Sequence, residues 1–281
     1  RRTAQKIAAS FRISSKDPTV LIRLGIFAGA LILFSSLEAL FPRRERLQGR
    51  FRRWVTNFSL VISGTLSLMI LGPLIAVGVA AWTAQNGWGV LNLIDLPLWM
   101  DFIIAFLVLD FSIWLQHVAT HKIPILWRLH KVHHADRDLD ASSGVRFHPI
   151  EILFSMLFKC VIALWLGPTV FAVVIFEIVL NATAIFSHAN LKLPQLLDKG
   201  LRKLIVTPDM HRVHHSVIMR ESQTNYGFNF SFWDRLFGTY QSEPAKGQTQ
   251  MTLGLEEAQV NATQSLGWSL WLPFRRSHPM L

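Results

Sequence analysis

At 281 residues, 51% hydrophobic and only 16% charged, with the apolar residues gathered in long blocks, the sequence excludes a soluble amphipathic fold and reads as an integral membrane protein. The formal net charge of +10 suits anionic lipid headgroups and topology-setting charge. It does not suit nucleic acid, because no soluble basic domain with a nucleic-acid motif is visible. The single cysteine, Cys160, lies inside an apolar block, so neither a disulfide framework nor a cysteine-based zinc or iron–sulfur site is available.

The chain opens on a basic stretch with Arg1, Arg2, Lys6, Arg12 and Lys16 and no initiating methionine, which reads as a missing true start. Arg1-Arg2 is not followed by the apolar region of an export signal. A first apolar block covers residues 20–41, with Arg23 and Glu38 near its ends, where long side chains reach headgroups. Residues 55–82 and 97–115 form two more blocks of about spanning length, roughly 20 residues. The fourth, residues 150–186, is too long for one crossing, and Gly167-Pro168 divides it into a helical hairpin. The tail after Gln241 is polar and closes on Trp268, Trp271, Pro273, Phe274, Arg275 and Arg276, which fits either a membrane interface or a disordered end. The predicted fold is an all-α integral membrane bundle of about four to five membrane segments, one a hairpin, with a histidine-rich helical cap. Its parts are an N-terminal segment with the first membrane helices (1–96), a catalytic domain (97–242) and a C-terminal tail (243–281). Most of the cap falls in residues 116–149 and 187–242.

Eight of the eleven histidines fall in three short segments, His117-x3-His121, His130-x2-His133-His134 and His211-x2-His214-His215. At this histidine content an H-x-x-H-H pattern arises by chance in roughly two chains per hundred, and here it occurs twice. On a helix, spacings of three and four put side chains on one face, so each segment offers two or three imidazoles to a common centre. Neutral imidazole is a good ligand for iron, zinc and copper, and eight such ligands suffice for two metals. Asp110, seven residues before His117, and Asp209, two before His211, are candidates for the outer shell.

The three segments can share one centre only if their loops lie on one membrane face. The hairpin satisfies this and brings in the loop holding Arg43, Arg44, Arg46, Arg50, Arg52 and Arg53. By the positive-inside rule that face is cytoplasmic, in a bacterial inner membrane or the endoplasmic reticulum. The basic amino terminus would then lie outside, so the first block reads either as a crossing or as a re-entrant or interfacial helix. The sequons at Asn57, Asn181, Asn229 and Asn261 fall in membrane or cytoplasmic segments and read as incidental.

Residues 97–242 resemble the fatty acid hydroxylase superfamily, also called the sterol desaturase family, of integral membrane di-iron oxygenases. The likeness rests on the order and spacing of the three histidine boxes and on five phrases around them: Arg146-Phe147-His148-Pro149-x-Glu151, Phe186-Ser187-His188-Ala189-Asn190, Thr207-Pro208-x-Met210-His211-Arg212-x-His214-His215, Asn225-Tyr226-Gly227 and Trp233-Asp234-x-Leu236-Phe237-Gly238-Thr239. The resemblance implies that His117, His121, His130, His133, His134, His211, His214 and His215 are both catalytic and metal ligands, with His188 a ninth. Some members carry a further histidine four residues earlier, where this chain has Ala184. That departure leaves the ligand count open, and His148 either replaces the missing ligand or orients a neighbour.

The expected function is O2-dependent hydroxylation or desaturation of a fatty acyl, sterol or other lipid C–H bond at two iron ions. The cofactors and partners are two irons, O2 as co-substrate, the membrane and its lipid substrate, and a separate reductase, ferredoxin or cytochrome b5-like electron donor. No haem-attachment sequence, cysteine cluster or nucleotide fingerprint is present in the sequence to supply electrons. Two alternatives use the same histidines, a zinc-dependent membrane hydrolase and a non-enzymatic metal- or haem-binding protein. Glu177 and Asn181, one turn apart in an apolar segment, either line a lipid tunnel, join an outer shell or make a structural contact with Lys159. Asn225 to Gly227 read as a site entrance or a turn, Trp233 to Thr239 as a packing anchor, and His278 as a bystander.

Overall fold

A computed structural model describes residues 18–72 and 74–275. The basic amino-terminal residues, Arg276 and His278 lie outside that range. Helices account for the fold, and among the described residues β-pairing is confined to isolated bridges such as that between Pro42 and Leu191.

Five helical stretches are long and apolar enough to cross a membrane, and the chain is a multi-pass membrane protein. The first, α1 (Pro18–Leu40), runs beside α7 (Val170–His188). Arg23 pairs with Glu177, the rings of Phe34 and Phe186 lie 5.1 Å apart, and the Arg43 N–H donates to the Asn190 carbonyl. Because partner numbers rise together, the two helices are parallel, and both bring their carboxyl ends to the cap. The amino end of α1 therefore lies on the opposite side, as in a crossing.

The block at residues 55–82 is not one helix. It is α2 (Arg50–Leu68), a 3-10 turn at Met69–Leu71, and α3 (Ala76–Asn86). Gly72 takes φ +56 at the break and is followed in sequence by proline, which has no N–H to continue a helix. Both pieces pack on α6 (Pro149–Leu166), α2 near its start and α3 along its second half. Between them comes α4 (Leu98–Lys122), whose 25 residues rise about 37 Å. That exceeds the roughly 30 Å hydrocarbon core, so its last turns protrude into the cap.

The predicted hairpin is α6 and α7, and the turn between them is built for close approach. Gly167 ends α6 at φ +68, and a Cβ on Gly89 would sit 2.4 Å from the Gly167 Cα, so only glycine at both positions allows this contact. Asn92 seals it by donating to the Gly167 carbonyl. Thr169 caps α7 by accepting from the Ala172 N–H.

The cap is assembled from α5 (Pro124–His134), α8 (Gln195–Leu201), α9 (Pro208–His214) and the loops between. The arginine loop is bound into it. Arg43 pairs with Asp209, Arg44 donates to the carbonyls of Gln248 and Met251, and the amides of Leu47 and Gln48 donate to Asp138. Arg53, fully buried, makes a bidentate pair with Asp136 and a second pair with Asp140. The tail is folded too: Leu255, Ala258 and Leu272 join Leu60, Trp127, Val132 and Ala135 in one apolar core, and buried Arg146 donates to the Thr263 carbonyl and Ser269 hydroxyl. Residues 243–274 thus close over the histidine boxes.

Candidate metal centre

Each histidine segment occupies the carboxyl end of a helix. His117 and His121 sit on the protruding turns of α4, and His130, His133 and His134 on the last turns of α5, which starts at Pro124 directly after α4 ends. His188 is the last residue of α7. Pro208 starts α9, which carries His211 and His214 and is capped by His215. Four helix carboxyl ends therefore converge on one place, and their aligned carbonyl dipoles favour a cation there.

The nine rings form two buried groups. His117, His121, His130, His134 and His214 each offer a ring nitrogen, all within 4.8 Å of one another, and His133, His188, His211 and His215 do the same. Hydrogen bonds settle which nitrogen faces inward. The Nδ1 of His117 lies 2.7 Å from the Tyr226 carbonyl, that of His214 2.7 Å from Thr224, that of His188 2.7 Å from Ala184 and that of His133 3.2 Å from Arg146. A carbonyl only accepts, so each Nδ1 carries the proton and each Nε2 presents a lone pair. His130 is oriented the same way by the Glu151 carboxylate, 2.6 Å from its Nδ1.

This produces an arrangement the protein cannot satisfy alone. His117 and His130 face each other through their Nε2 atoms at 3.1 Å, as do His133 and His188. Two lone pairs at that separation repel instead of hydrogen-bonding. Both ring nitrogens of His121, His134 and His215, with Nε2 of His214 and Nδ1 of His211, are buried without a partner, a cost of about 1–3 kcal/mol each unless something binds them. Burial, reinforced by the neighbouring imidazoles, holds His133, His134, His211 and His215 well below the ordinary imidazole range and His214 at about 3. Neutral, inward-facing and unpartnered imidazole is the state a metal ion requires.

His148, the tenth ligand candidate, lies outside both groups. Its Nδ1 accepts from the Ile150 N–H to cap α6 and its Nε2 approaches the Leu270 carbonyl. The two acids expected nearby also serve elsewhere. Asp110, about 10 Å further down the helix axis from His117, accepts from the indole of Trp233, and Asp209 pairs with Arg43 and Arg212. Helical periodicity gave Asp110 the right face and the wrong height.

Sequence reasoning missed the supports that do act. Glu151 was visible in the His148-Pro149-x-Glu151 phrase, one turn into α6 beneath His130. The carbonyls of Thr224 and Tyr226 depend on Asn225, which takes φ +53 and is held by Gln241 and Met210. Asp234 secures the same loop by accepting from the N–H groups of Tyr226 and Gly227 and from the indole of Trp114. The Trp233 to Thr239 phrase is therefore an anchor with a specific load.

A cavity of about 460 Å³ leads from the centre into the bundle. His117, His130 and Glu151 line one end; Arg23, Lys159 and Glu177 line the other; the walls between are largely apolar. Glu177 bridges Arg23 on α1 and Lys159 on α6, and Asn181 donates to its backbone carbonyl.

Comparison with known proteins agrees with this geometry. The fatty acid hydroxylase family profile matches residues 102–239. An ornithine lipid hydroxylase of Rhizobium tropici is 28% identical over 55% of this chain and 46% of its own length. An alkylglycerol monooxygenase of Danio rerio is 34% identical over 51% of this chain and 31% of its own, and a cholesterol 25-hydroxylase-like protein of Danio rerio is 29% identical over 80% and 90%. The chain spans less than half the length of the first two. No solved structure gives a significant match.

Proposed function

Since the chain belongs to the fatty acid hydroxylase family through residues 102–239, we propose that it is an O2-dependent, membrane-bound hydroxylase or desaturase of lipid C–H bonds that works with two irons. The observation that carries this reading is the pair of histidine groups with facing Nε2 lone pairs, opening on a cavity that runs into the membrane bundle. His117, His121, His130, His134 and His214 would hold one ion, and His133, His188, His211 and His215 the other. Iron bound there would supply the change of oxidation state that attack on an unactivated C–H bond by O2 needs, which zinc cannot.

The residues do the rest. Glu151 holds the His130 proton on Nδ1 and keeps Nε2 free, and the backbone carbonyls of Tyr226, Thr224, Arg146 and Ala184 do the same for their partners. The apolar walls exclude water and fix a lipid chain in one pose, so the carbon lying at His117 and His130 is the one that reacts. The partner that delivers electrons, a reductase, ferredoxin or cytochrome b5-like carrier, would meet the cap on the cytoplasmic face. Known relatives that are hydroxylases and monooxygenases do not favour the zinc-hydrolase alternative.

The test is metal content per chain in detergent-purified protein expressed with iron supplied, beside His214→Ala. About two irons, lost in the variant, are expected from two histidine groups. Zinc alone with iron available, or iron retained in the variant, would overturn the reading.

A further inference from the structure

The membrane-embedded end of the cavity carries an unbalanced charge. Glu177 gives one oxygen to Arg23 at 2.5 Å and the other to Lys159 at 2.8 Å, so two cations share one carboxylate. Neither cation makes another hydrogen bond among the described residues, and both line the cavity. Their side chains are largely withdrawn from the surface, Lys159 to 13% exposure and Arg23 to 30%. Surplus positive charge at membrane depth is expensive and marks a site where a partner arrives. Glu151 does not balance it, being eight residues along α6, about 12 Å away along the axis, and committed to His130.

We infer that the amphiphile entering this cavity carries a terminal carboxylate, which docks on Lys159 and Arg23 while a methylene roughly ten carbons along lies at His117 and His130. The spacing follows from geometry. An extended chain advances about 1.25 Å per carbon for a C–C bond near 1.5 Å, and the anchor and Glu151 are separated by the rise of eight helical residues. A long-chain free acid is thereby preferred to its ester, to an alcohol and to a sterol. This deepens the hydroxylase reading, on which it rests for the chemistry at the far end only; the docking of the carboxylate stands or falls by binding.

The experiment is competitive displacement of a fluorescent acyl probe from the full chain in nanodiscs by palmitate, methyl palmitate and hexadecanol, with metal content measured in parallel. Palmitate is expected to compete at about tenfold lower concentration than either neutral analogue. Lys159→Met, which leaves Arg23 and Glu177 as a neutral pair, should erase that preference while still binding the ester. Arg23→Met should do likewise and serves if Lys159→Met does not fold. Equal competition by all three lipids in the wild type, or a preference that survives both substitutions, overturns the inference. Iron retained with no carboxylate preference would sink this proposal and leave the hydroxylase standing; a preference without iron would do the reverse.

Discussion

Among the described residues Glu151 is the only carboxylate hydrogen-bonded to a histidine of the centre, and removing it tests whether the hydrogen-bond geometry determines metal affinity. Glu151 and His130 are 4% and 2% exposed, and the carboxylate lies 2.6 Å from Nδ1, so the contact is a short, desolvated, charge-assisted hydrogen bond. Glu151→Gln keeps an acceptor oxygen and loses the charge, which takes the bond from about 1.5–3 kcal/mol to about 0.5–1.5 kcal/mol. Glu151→Leu removes the acceptor and leaves a buried N–H unpaired. Loss of such an outer partner weakens metal binding about 10- to 100-fold, or roughly 1.4–2.7 kcal/mol. The expected order of iron affinity is therefore wild type, then Gln, then Leu, with Gln near the lower limit of that range and Leu near the upper. Iron-loaded protein titrated with a competing chelator gives the midpoints, and a thermal melt controls for folding. Identical midpoints in all three proteins, with melts unchanged, would refute the reasoning.

Replacing Arg53 with Met should cost about 3–5 kcal/mol, because it strands Asp136 and Asp140 as buried charges without their partner; a melting temperature equal to wild type would contradict this. Acid should loosen the centre. Burial keeps His133, His134, His211, His214 and His215 neutral in the fold, whereas the unfolded chain protonates them below about pH 6.5. Stability present above that pH is lost as pH falls, by up to about 1.4 kcal/mol per pH unit for each histidine; metal release and a falling melting temperature between about pH 6.5 and 5 are expected, and flat profiles would argue against the neutral assignment. His148→Ala should leave the iron content unchanged and cost about 1 kcal/mol as a lost helix cap. Loss of iron in that variant would return His148 to the ligand set.

Much of the centre was legible because helical spacing is a strong signal. Histidines three and four apart share a face whatever the surrounding fold, so the three boxes announced themselves, and His188 came with its phrase. The supports are carbonyls, which have no side-chain signature; those of Thr224 and Tyr226 point inward only because Asn225 adopts a left-handed backbone. Hydropathy located the spanning blocks but not the break between α2 and α3, since apolarity continues through a point where hydrogen bonding stops, and Gly72-Pro73 was the available warning. Charge alone does not reveal the structural role of the arginine loop. Arg43, Arg44 and Arg53 looked like topology signals, and each is a strut into the cap whose acceptors lie 83 to 207 residues away in sequence.

The two histidine groups differ in what lies against them, although each draws ligands from membrane and cap helices alike. α4 and α7 arrive from the membrane, while α5 and α9 lie in the cap, so the ligands they carry meet at the boundary between apolar bundle and polar cap. Of the nine histidines only His117 and His130 line the cavity, and both belong to the five-member group. In the four-member group His188 ends the membrane helix α7, while His133, His211 and His215 come from cap helices, with Phe147 stacked on His133 at 4.5 Å. On the proposed reading, a lipid in the cavity would meet the five-member group, and the proposed electron donor would approach from the cap. Such a division makes a directional expectation: changes to the cavity walls alter which lipid carbon reacts and leave reduction by the donor intact, whereas changes on the cap surface slow reduction and leave the product unchanged.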